Sequence, residues 1–282
     1  MRTDMAIERY ASLGQAERAG VDVCEEAGDG CKTTKITVRT PAAGRALGKP
    51  EGVYYTFETD AFPDVSSLTG EKTRRLADLL TSLLPDRGRV LVVGLGNLAV
   101  TPDALGPKTA AGVLATAHLP PDALEKLPSL RSVAALTPGV SGKTGLEASE
   151  IVKGVVRSFA PAAVIAVDAL AAGSVTRLGN NVQLSSAGVE PGAGVGNARK
   201  ALSEKTLGVP VIAVGVPTVV DALTLAGDVG TAPAGTDSPF ASMMVTPRDI
   251  DAVIDSAARF LSLAVNLALQ PSLTPEELLS LA

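Results

Sequence analysis

The chain changes character near residue 89, where short apolar runs begin to alternate with segments of helical periodicity. The runs lie at residues 90–93, 133–136, 163–167 and 211–214. Because these runs have no polar side, they are typical of strands buried on both faces, as in a parallel sheet covered by helices. The pattern therefore predicts an α/β fold, a three-layer α/β/α arrangement around a largely parallel sheet.

Three helices can be placed from periodicity and capping signals. Residues 71–84 carry five leucines at i, i+3, i+4 spacing, which predicts one apolar helix face. Thr246 and Pro247 predict the start of a long helix that runs to about Leu269, with Thr246 as its N-cap. Thr274 and Pro275 predict a short final helix in the same way.

The first 70 residues are irregular, with strands predicted at 35–38 and 53–57 between Gly- and Pro-rich turns. A length of 282 residues suits a single α/β domain. We therefore expect one domain over residues 1–282, with residues 1–70 packed on the α/β core.

Composition excludes several classes of function. The chain has 25 Lys and Arg against 30 Asp and Glu and no basic run, so nucleic acid is not an expected partner. One histidine, His118, and two cysteines, Cys24 and Cys31, cannot supply four zinc ligands, and we expect no metal and no cofactor. His118 is expected at the surface, and the cysteines flank a predicted polar turn.

No segment indicates export or a membrane. The N-terminus lacks the apolar core of a signal peptide. The most apolar stretch, residues 209–227, is interrupted by Pro210, Gly215, Pro217 and Asp221, which argues against a membrane span. With only two thiols, a cytoplasmic protein is expected.

Candidate chemistry follows the apolar runs, because sites in open α/β sheets form beyond the carboxyl ends of the strands. Asp103 lies in the segment after the first run, Lys143 after the second, Asp168 directly after the third and Asp221 after the fourth. The alternative to a catalytic role for Asp103 and Asp168 is that each caps the helix that follows it. Asp221 fits better within a helix. Two carboxyl groups held close together share a proton, and such a pair can activate water.

Two glycine-rich motifs are incomplete. Residues 94–99 fit the dinucleotide pattern, but Pro102 stands where the phosphate-binding helix should already run. Gly142-Lys143-Thr144 lacks the earlier glycine of a P-loop, because that position is Thr137. Ser141 and Lys143 are a possible Ser/Lys nucleophilic pair. The plainer interpretation is a tight turn with a solvated lysine.

Long segments of the chain resemble the germination proteases, the endopeptidases of bacterial spores. The matching segments are GLGNLAVTPDALGP (94–107), TPGVSGKTGLEASEIVKG (137–154), VIAVDALAA (164–172), GVEPGAGVGNARK (188–200) and TLGVPVIAVGVPTVVDA (206–222). They span nearly the whole chain in order.

The resemblance implies an aspartic endopeptidase, with a fold similar to that of hydrogenase-maturation peptidases and no catalytic metal. Asp103 and Asp168 match the family's two essential aspartates. Small acid-soluble spore proteins would be the substrates, cut after an acidic residue and before a hydrophobic-Ala pair. The family is tetrameric, is made as a zymogen and acts in the spore core.

Some expectations concern individual residues. Asp4-Met5-Ala6 looks like a family cleavage site, so we expect self-cleavage at Asp4–Met5 to release a short prosegment, residues 1–4. Gly94, Gly96 and Asn97, with Ser141 and Lys143, are candidates for binding substrate or its oxyanion. Leu98 and Gly173 replace a Trp and an Arg expected near the cleft. The remaining alternative is a family member that binds spore proteins without cutting them.

Overall fold

The computed structural model describes residues 3–120, 130–196, 199–228, 230 and 243–281. The strands in these residues are β1 (Val21–Gly28), β2 (Cys31–Val38), β3 (Gly52–Thr59), β4 (Val90–Gly94), β5 (Val133–Leu136), β6 (Ala163–Ala172), β7 (Asn181–Ser185), β8 (Val211–Asp221) and β9 (Met244–Val245). They form one sheet in the order β1-β2-β3-β7-β8-β6-β4-β5, and β9 pairs with β8 outside this path.

The four apolar runs are neighbouring parallel strands, as predicted. β5 pairs with β4, β4 with β6, and β6 with β8, all in parallel. β6 and β8 are longer than their apolar runs, because β6 continues through Asp168 to Ala172 and β8 continues to Asp221. Asp168 therefore lies inside β6, opposite Gly215 of β8, and not after the strand as we expected.

The other half of the sheet is antiparallel, so the sheet as a whole is mixed. β1, β2 and β3 form an antiparallel meander that joins β8 through β7. The N-terminal strands thus extend the central sheet, where we expected them to pack on its surface. β7 gave no apolar signal because three of its five residues, Asn181, Gln183 and Ser185, are polar although buried.

The predicted polar turn between the cysteines is shorter than expected. Residues 21–28 form β1, and only Asp29 and Gly30, both with positive φ, make the hairpin turn to β2. A two-residue turn with both φ values positive matches the right-handed twist of the strands. Cys24 is exposed, Cys31 is buried, and neither is in a disulfide.

The helices in the described residues are α1 (Ala6–Ala11), α2 (Pro41–Leu47), α3 (Glu71–Thr81), α4 (Leu105–Ala111), α5 (Ser141–Thr144), α6 (Ala148–Phe159), α7 (Glu204–Leu207), α8 (Ala222–Asp228), α9 (Ile250–Leu269) and α10 (Pro275–Leu281). α3, α4, α9 and α10 cover one face of the sheet. α6 and α7 cover the other face at the parallel strands, and α1 and α2 cover it at β2 and β3. The three-layer α/β/α arrangement is confirmed.

α9 is the central helix of the larger layer. It is long and apolar enough to cross a membrane by length and composition, but 67% of its most apolar window is buried in this protein. Phe260 contacts Phe57 and Phe62, with ring centroids 6.1 and 5.6 Å away. The apolarity of α9 is therefore explained by its place in the core.

The predicted helix boundaries are partly wrong. α9 begins at Ile250 and not at Thr246, whose hydroxyl donates instead to the carbonyl of Thr218 at 2.8 Å. α3 ends at Thr81, before Leu83 and Leu84. The start of α10 is confirmed by a reciprocal cap: the Glu277 N–H donates to the Thr274 hydroxyl, and the Thr274 N–H donates to the Glu277 carboxylate.

Candidate active site

A cavity of about 380 Å³ opens at the carboxyl ends of the parallel strands. Asp103, Asp168 and Asp4 line it, together with Arg199 and Thr218. The structure thus brings the two predicted carboxyl groups to one cavity. It adds a third carboxyl and a guanidinium that we did not assign to this site from sequence.

The backbone of Asp168 is held by the sheet. Its strand, β6, lies between β4 and β8, and its side chain is only 6% exposed. The carboxylate accepts a hydrogen bond from the N–H of Ala169 at 3.0 Å. Because the chain continues as a strand, the helix-cap alternative for Asp168 is excluded.

Asp103 is held by a tight turn. Residues Thr101–Asp103 form one turn of 3-10 helix, and the N–H of Asn97 donates to the main-chain carbonyl of Asp103 at 3.1 Å. No side-chain hydrogen bond from Asp103 caps the following helix, α4. Its carboxyl group is therefore left to line the cavity.

Glycines allow this turn to lie against β4. A Cβ at Gly96 would be 2.1 Å from the main-chain oxygen of Asp103, and Gly96 has φ +116°. A Cβ at Gly94 would be 2.2 Å from the carbonyl oxygen of Gly106 in α4. The dinucleotide-like glycines thus allow close packing of the chain against itself, which explains the motif without a phosphate.

Burial makes both carboxyl groups hard to ionise. Burial raises the pKa of Asp168 well above its usual range, and the nearby charges of Asp103 and Asp4 raise it further. Burial also raises the pKa of Asp103, opposed by the Asn97 backbone amide and the charge of Arg199. Asp103 thus disfavours the ionised form of Asp168, as expected for two neighbouring carboxyl groups.

Arg199 is the cation that faces the pair. It lines the cavity, and its charge favours the ionised forms of both Asp103 and Asp168. Its guanidinium also donates to the Ser141 hydroxyl at 3.1 Å. The sequence alone assigned no role to Arg199, which lies within the matching segment 188–200, because no local pattern connects it to either aspartate.

The N-terminal segment runs along the same cavity. The Asp4 N–H donates to the Ala171 carbonyl, and the Ala171 N–H donates back to the Asp4 carboxylate, both at 2.9 Å. The Gln183 side chain donates to the Asp4 carbonyl at 2.9 Å and accepts from the Ala6 N–H at 2.6 Å. The Gln183 side chain thus holds the backbone before and after Met5, through the Asp4 carbonyl and the Ala6 N–H. Residues 1 and 2 of the expected prosegment lie outside the described residues.

Ser141 and Lys143 do not form a nucleophilic pair here. They lie two positions apart on α5, where side chains do not face each other. The Ser141 hydroxyl is bonded to Arg199, and Lys143 is exposed with no hydrogen bond to Ser141 in the described chain. The plainer interpretation, a turn with a solvated lysine, fits this geometry.

Other predicted positions lie outside the cavity. Gly94 lies within β4, and the Asn97 side chain accepts from the Ala99 N–H, so of the three proposed oxyanion residues only Gly96 lines the cavity. Leu98 is 63% exposed, and the Gly173 N–H donates to the Glu8 carboxylate at 2.7 Å.

Two further expectations concern single side chains. Asp221 ends β8 and caps α8 through Thr224, where we expected it inside a helix. His118 is exposed, as expected. Across the described ranges, no group of three or more His, Cys, Asp or Glu side chains has the geometry to hold a metal ion.

The fold and this cavity define an α/β protein whose candidate active site holds one buried carboxyl group, Asp168, and one half-buried carboxyl group, Asp103. A model of the germination protease family matches residues 2–231. A germination protease from Caldanaerobacter subterraneus is 39% identical over 99% of this chain and 97% of its own length. A germination protease from Clostridium tetani is 36% identical over 99% of this chain and 98% of its own length.

The chain belongs to the germination protease family and is therefore a protease, a hydrolase of spore germination. A relative from Bacillus cereus is 42% identical over 81% of this chain and 65% of its own length. Among solved structures, the hydrogenase maturation protease HycI from Thermococcus kodakarensis matches 66% of this chain and 98% of its own, at 16% identity. Its TM-score of 0.37 is too low to support an inference about this chain.

The contact between Gly96 and Asp103 predicts a large effect for Gly96→Ala. The added Cβ must push the Asp103 turn away, and a displacement of about 1 Å typically costs on the order of 100-fold in rate. We expect protease activity per folded molecule to fall by about that factor. Gly154→Ala is the control, because a Cβ at this helical glycine meets nothing within 4 Å. Full activity in Gly96→Ala would contradict this account of the turn.

The raised pKa of Asp168 predicts that Asp168→Asn stabilises the protein near neutral pH. The folded state binds the proton of Asp168 more tightly than the unfolded chain does. This tighter binding of the proton stabilises the folded state. The stabilisation is complete below about pH 4 and is lost as the pH rises through the raised pKa of Asp168. Asparagine does not ionise, so the variant should gain stability over the wild type as pH rises, measured by urea unfolding at a series of pH values.

Asp64→Asn is a control of opposite sign. Hydrogen bonds from Ser67 and Ser66 lower the pKa of Asp64, so its ionised form favours the folded state above the unfolded pKa. This variant should lose stability near neutral pH and match the wild type in acid. Parallel pH profiles for wild type and Asp168→Asn would contradict the buried-carboxyl interpretation.

Proposed function

We propose that the protein is an aspartic-type endopeptidase in which Asp103 and Asp168 together activate water. The observation that carries this proposal is their position on one cavity, with each pKa raised by burial and that of Asp168 raised further by Asp103. Two such groups supply a general base and a general acid from one shared proton.

The chemistry needs only these two groups and a water molecule. The ionised carboxylate takes a proton from water while the water oxygen bonds to the scissile carbonyl carbon. The protonated carboxyl donates its proton to the carbonyl oxygen. Collapse of the tetrahedral intermediate breaks the C–N bond, and the amine leaves with the proton taken from water. The other carboxylate takes its proton back from the hydroxyl that becomes the new C=O group, so both aspartates return to their starting states. Arg199 holds positive charge beside the pair, and the Gly96 backbone lines the place where the substrate carbonyl would lie.

The N-terminal segment supports the proposed cleavage preference. Asp4 is acidic, and the next two residues, Met5 and Ala6, are fully buried. They match the hydrophobic-Ala pair that follows the acidic residue in the expected substrates. We propose that the chain cuts itself at Asp4–Met5, so that residues 1–4 act as a short zymogen segment.

Small acid-soluble spore proteins are the proposed substrates, and the spore core is the proposed location. We also propose a homotetramer that needs no metal or other cofactor and binds neither nucleic acid nor membranes directly. These proposals rest on membership of the germination protease family. The negative charge and the absence of a basic run in the sequence support the statement on nucleic acid.

Cleavage of a purified small acid-soluble spore protein tests the carboxyl pair. Asp103→Asn and Asp168→Asn should each lower the rate by about 100-fold or more, because each removes one partner of acid–base catalysis. Mass spectrometry should place the wild-type cuts after acidic residues. EDTA and a serine-directed inhibitor should leave the rate unchanged.

Ser141→Ala is the matched control. Its hydroxyl accepts a hydrogen bond from Arg199 but transfers no proton in the proposed chemistry, so this variant should retain most of the activity, which a serine nucleophile would lose. Folded Asn variants that still cut, or an inactive Ser141→Ala, would overturn the carboxyl-pair proposal. Binding of the spore protein without any cut by the wild type would favour the non-catalytic alternative.

The processing proposal predicts a defined change in mass. Incubation of the full chain under conditions that support cleavage should remove residues 1–4 and leave Met5 as the new N-terminus. Asp103→Asn should stay intact, because the cut depends on the pair. Intact-mass measurement follows both chains over time, and loss of residues 1–4 from Asp103→Asn would point to a contaminating protease.

A further inference from the structure

A second cavity adjoins the catalytic one and has a different character. It has a volume of about 370 Å³ and shares Asp4 and Leu170 with the first. Two cationic side chains, Arg9 and Lys49, line it. We call this second cavity the basic pocket.

Local structure explains why Lys49 faces this pocket. α2 ends at Gly48, which has a left-handed conformation with φ +69°, and the Lys49 N–H then donates to the Gly44 carbonyl at 3.1 Å. This helix-terminating turn reverses the chain direction and directs Lys49 toward the N-terminal segment. Arg9 comes from α1, which is held in place by the bonds of Gln183 to Ala6 and of Glu8 to Gly173.

The Asp4 side chain occupies the boundary between the two cavities. Its carboxylate accepts the Ala171 N–H at 2.9 Å. The Gly194 backbone lies so close that a Cβ there would be 2.1 Å from the carboxylate oxygen. Burial raises the pKa of the Asp4 carboxyl group, and the backbone of Ala171 and Gly194 and the charges of Lys49 and Arg9 oppose that rise.

The charges in the basic pocket favour the binding of an acidic side chain. Burial lowers the pKa of Lys49, and the negative charge of Asp4 opposes this effect. The Arg9 Nε is buried and has no hydrogen-bond partner among the described residues, which leaves a donor unsatisfied. Glu190 is the other anion near Lys49. Departure of Asp4 would leave Glu190 as the remaining anion that acts on Lys49 within the described part of the chain.

We propose that Lys49 and Arg9, with the backbone of Ala171 and Gly194, form the subsite for the acidic side chain on the amino side of the scissile bond. In this structure Asp4 occupies that subsite as an internal substrate. Cleavage at Asp4–Met5 releases Asp4 but retains Arg9 and Lys49, so processing empties the subsite for the next acidic residue. This inference rests on the proposed function and identifies the residues that would give it specificity.

A pair of peptides that differ in one residue tests the subsite. They carry the Asp-Met-Ala-Ile-Glu sequence of this chain, with Asp in one and Asn in the other before the cleaved bond. The processed wild type should prefer the Asp peptide. Lys49→Met and Arg9→Met should each lower the Asp/Asn ratio of kcat/KM by about 10- to 100-fold, the range for loss of a hydrogen bond or contact to a charge.

Lys153→Met is the control, because Lys153 is exposed on α6 and lines neither cavity. It should keep the wild-type ratio. The ratio compares two substrates on the same enzyme, so partial unfolding of a variant does not change it. A wild-type ratio retained in both Lys49→Met and Arg9→Met overturns the subsite. A wild type that cuts neither peptide nor a spore protein overturns the proposed function instead.

A second measurement does not depend on activity. In the unprocessed chain, the effects of Asp4→Asn and Lys49→Met on urea unfolding should not be additive, because each removes one partner of the same electrostatic interaction. We expect a coupling of about 2-fold or more in the unfolding constant. Strict additivity would show that Lys49 does not interact with the Asp4 carboxylate. It would overturn the assignment of Lys49 to the subsite.

Discussion

Placing a carboxyl group inside a buried parallel strand is the constraint on which the local structure depends. Ionised carboxyl groups are costly to bury unless they are paired or hydrogen-bonded. Asp168 lies among apolar residues of β6, with its own carboxylate bonded to the next N–H along the chain. A second carboxyl from Asp103 and a guanidinium from Arg199 reach the same cavity. The raised pKa of Asp168 follows directly from this environment.

Close backbone contacts bring the second carboxyl to that position. The Asp103 turn lies against β4 only because Gly94, Gly96 and Gly106 have no side chains. Side chains at these positions would overlap main-chain oxygens, so the distance between the strand and the turn is set by sterics. A motif that resembles a nucleotide-binding loop is thus explained by packing around an acidic cavity.

The N-terminal segment is tied to the same site by long-range bonds. Asp4 pairs with Ala171, and Glu8 bonds to Gly173 and pairs with Arg177 at 3.5 Å. These contacts place Asp4 at both the candidate active-site cavity and the basic pocket, and they bury the following Met-Ala pair in the core. Substrate recognition and self-processing, as proposed, would then use the same groups.

The sequence by itself determined the α/β class, the four parallel strands and the candidate carboxyl groups Asp103 and Asp168. Buried parallel strands need continuous apolar runs, and sites form at their carboxyl ends, so both features leave a local signal. The antiparallel half was harder to predict, because β7 buries polar residues and its backbone pairs with β3, a strand far away in the sequence.

Only the tertiary structure decided which other groups meet the two aspartates. Asp4 and its partner Ala171 are 167 residues apart, and no periodicity or motif connects residues at that distance. The same holds for Arg199 beside the pair and for Lys49 and Arg9 in the basic pocket. Their positions follow from the strand order of the sheet and from helix ends packed against it, which local sequence does not encode.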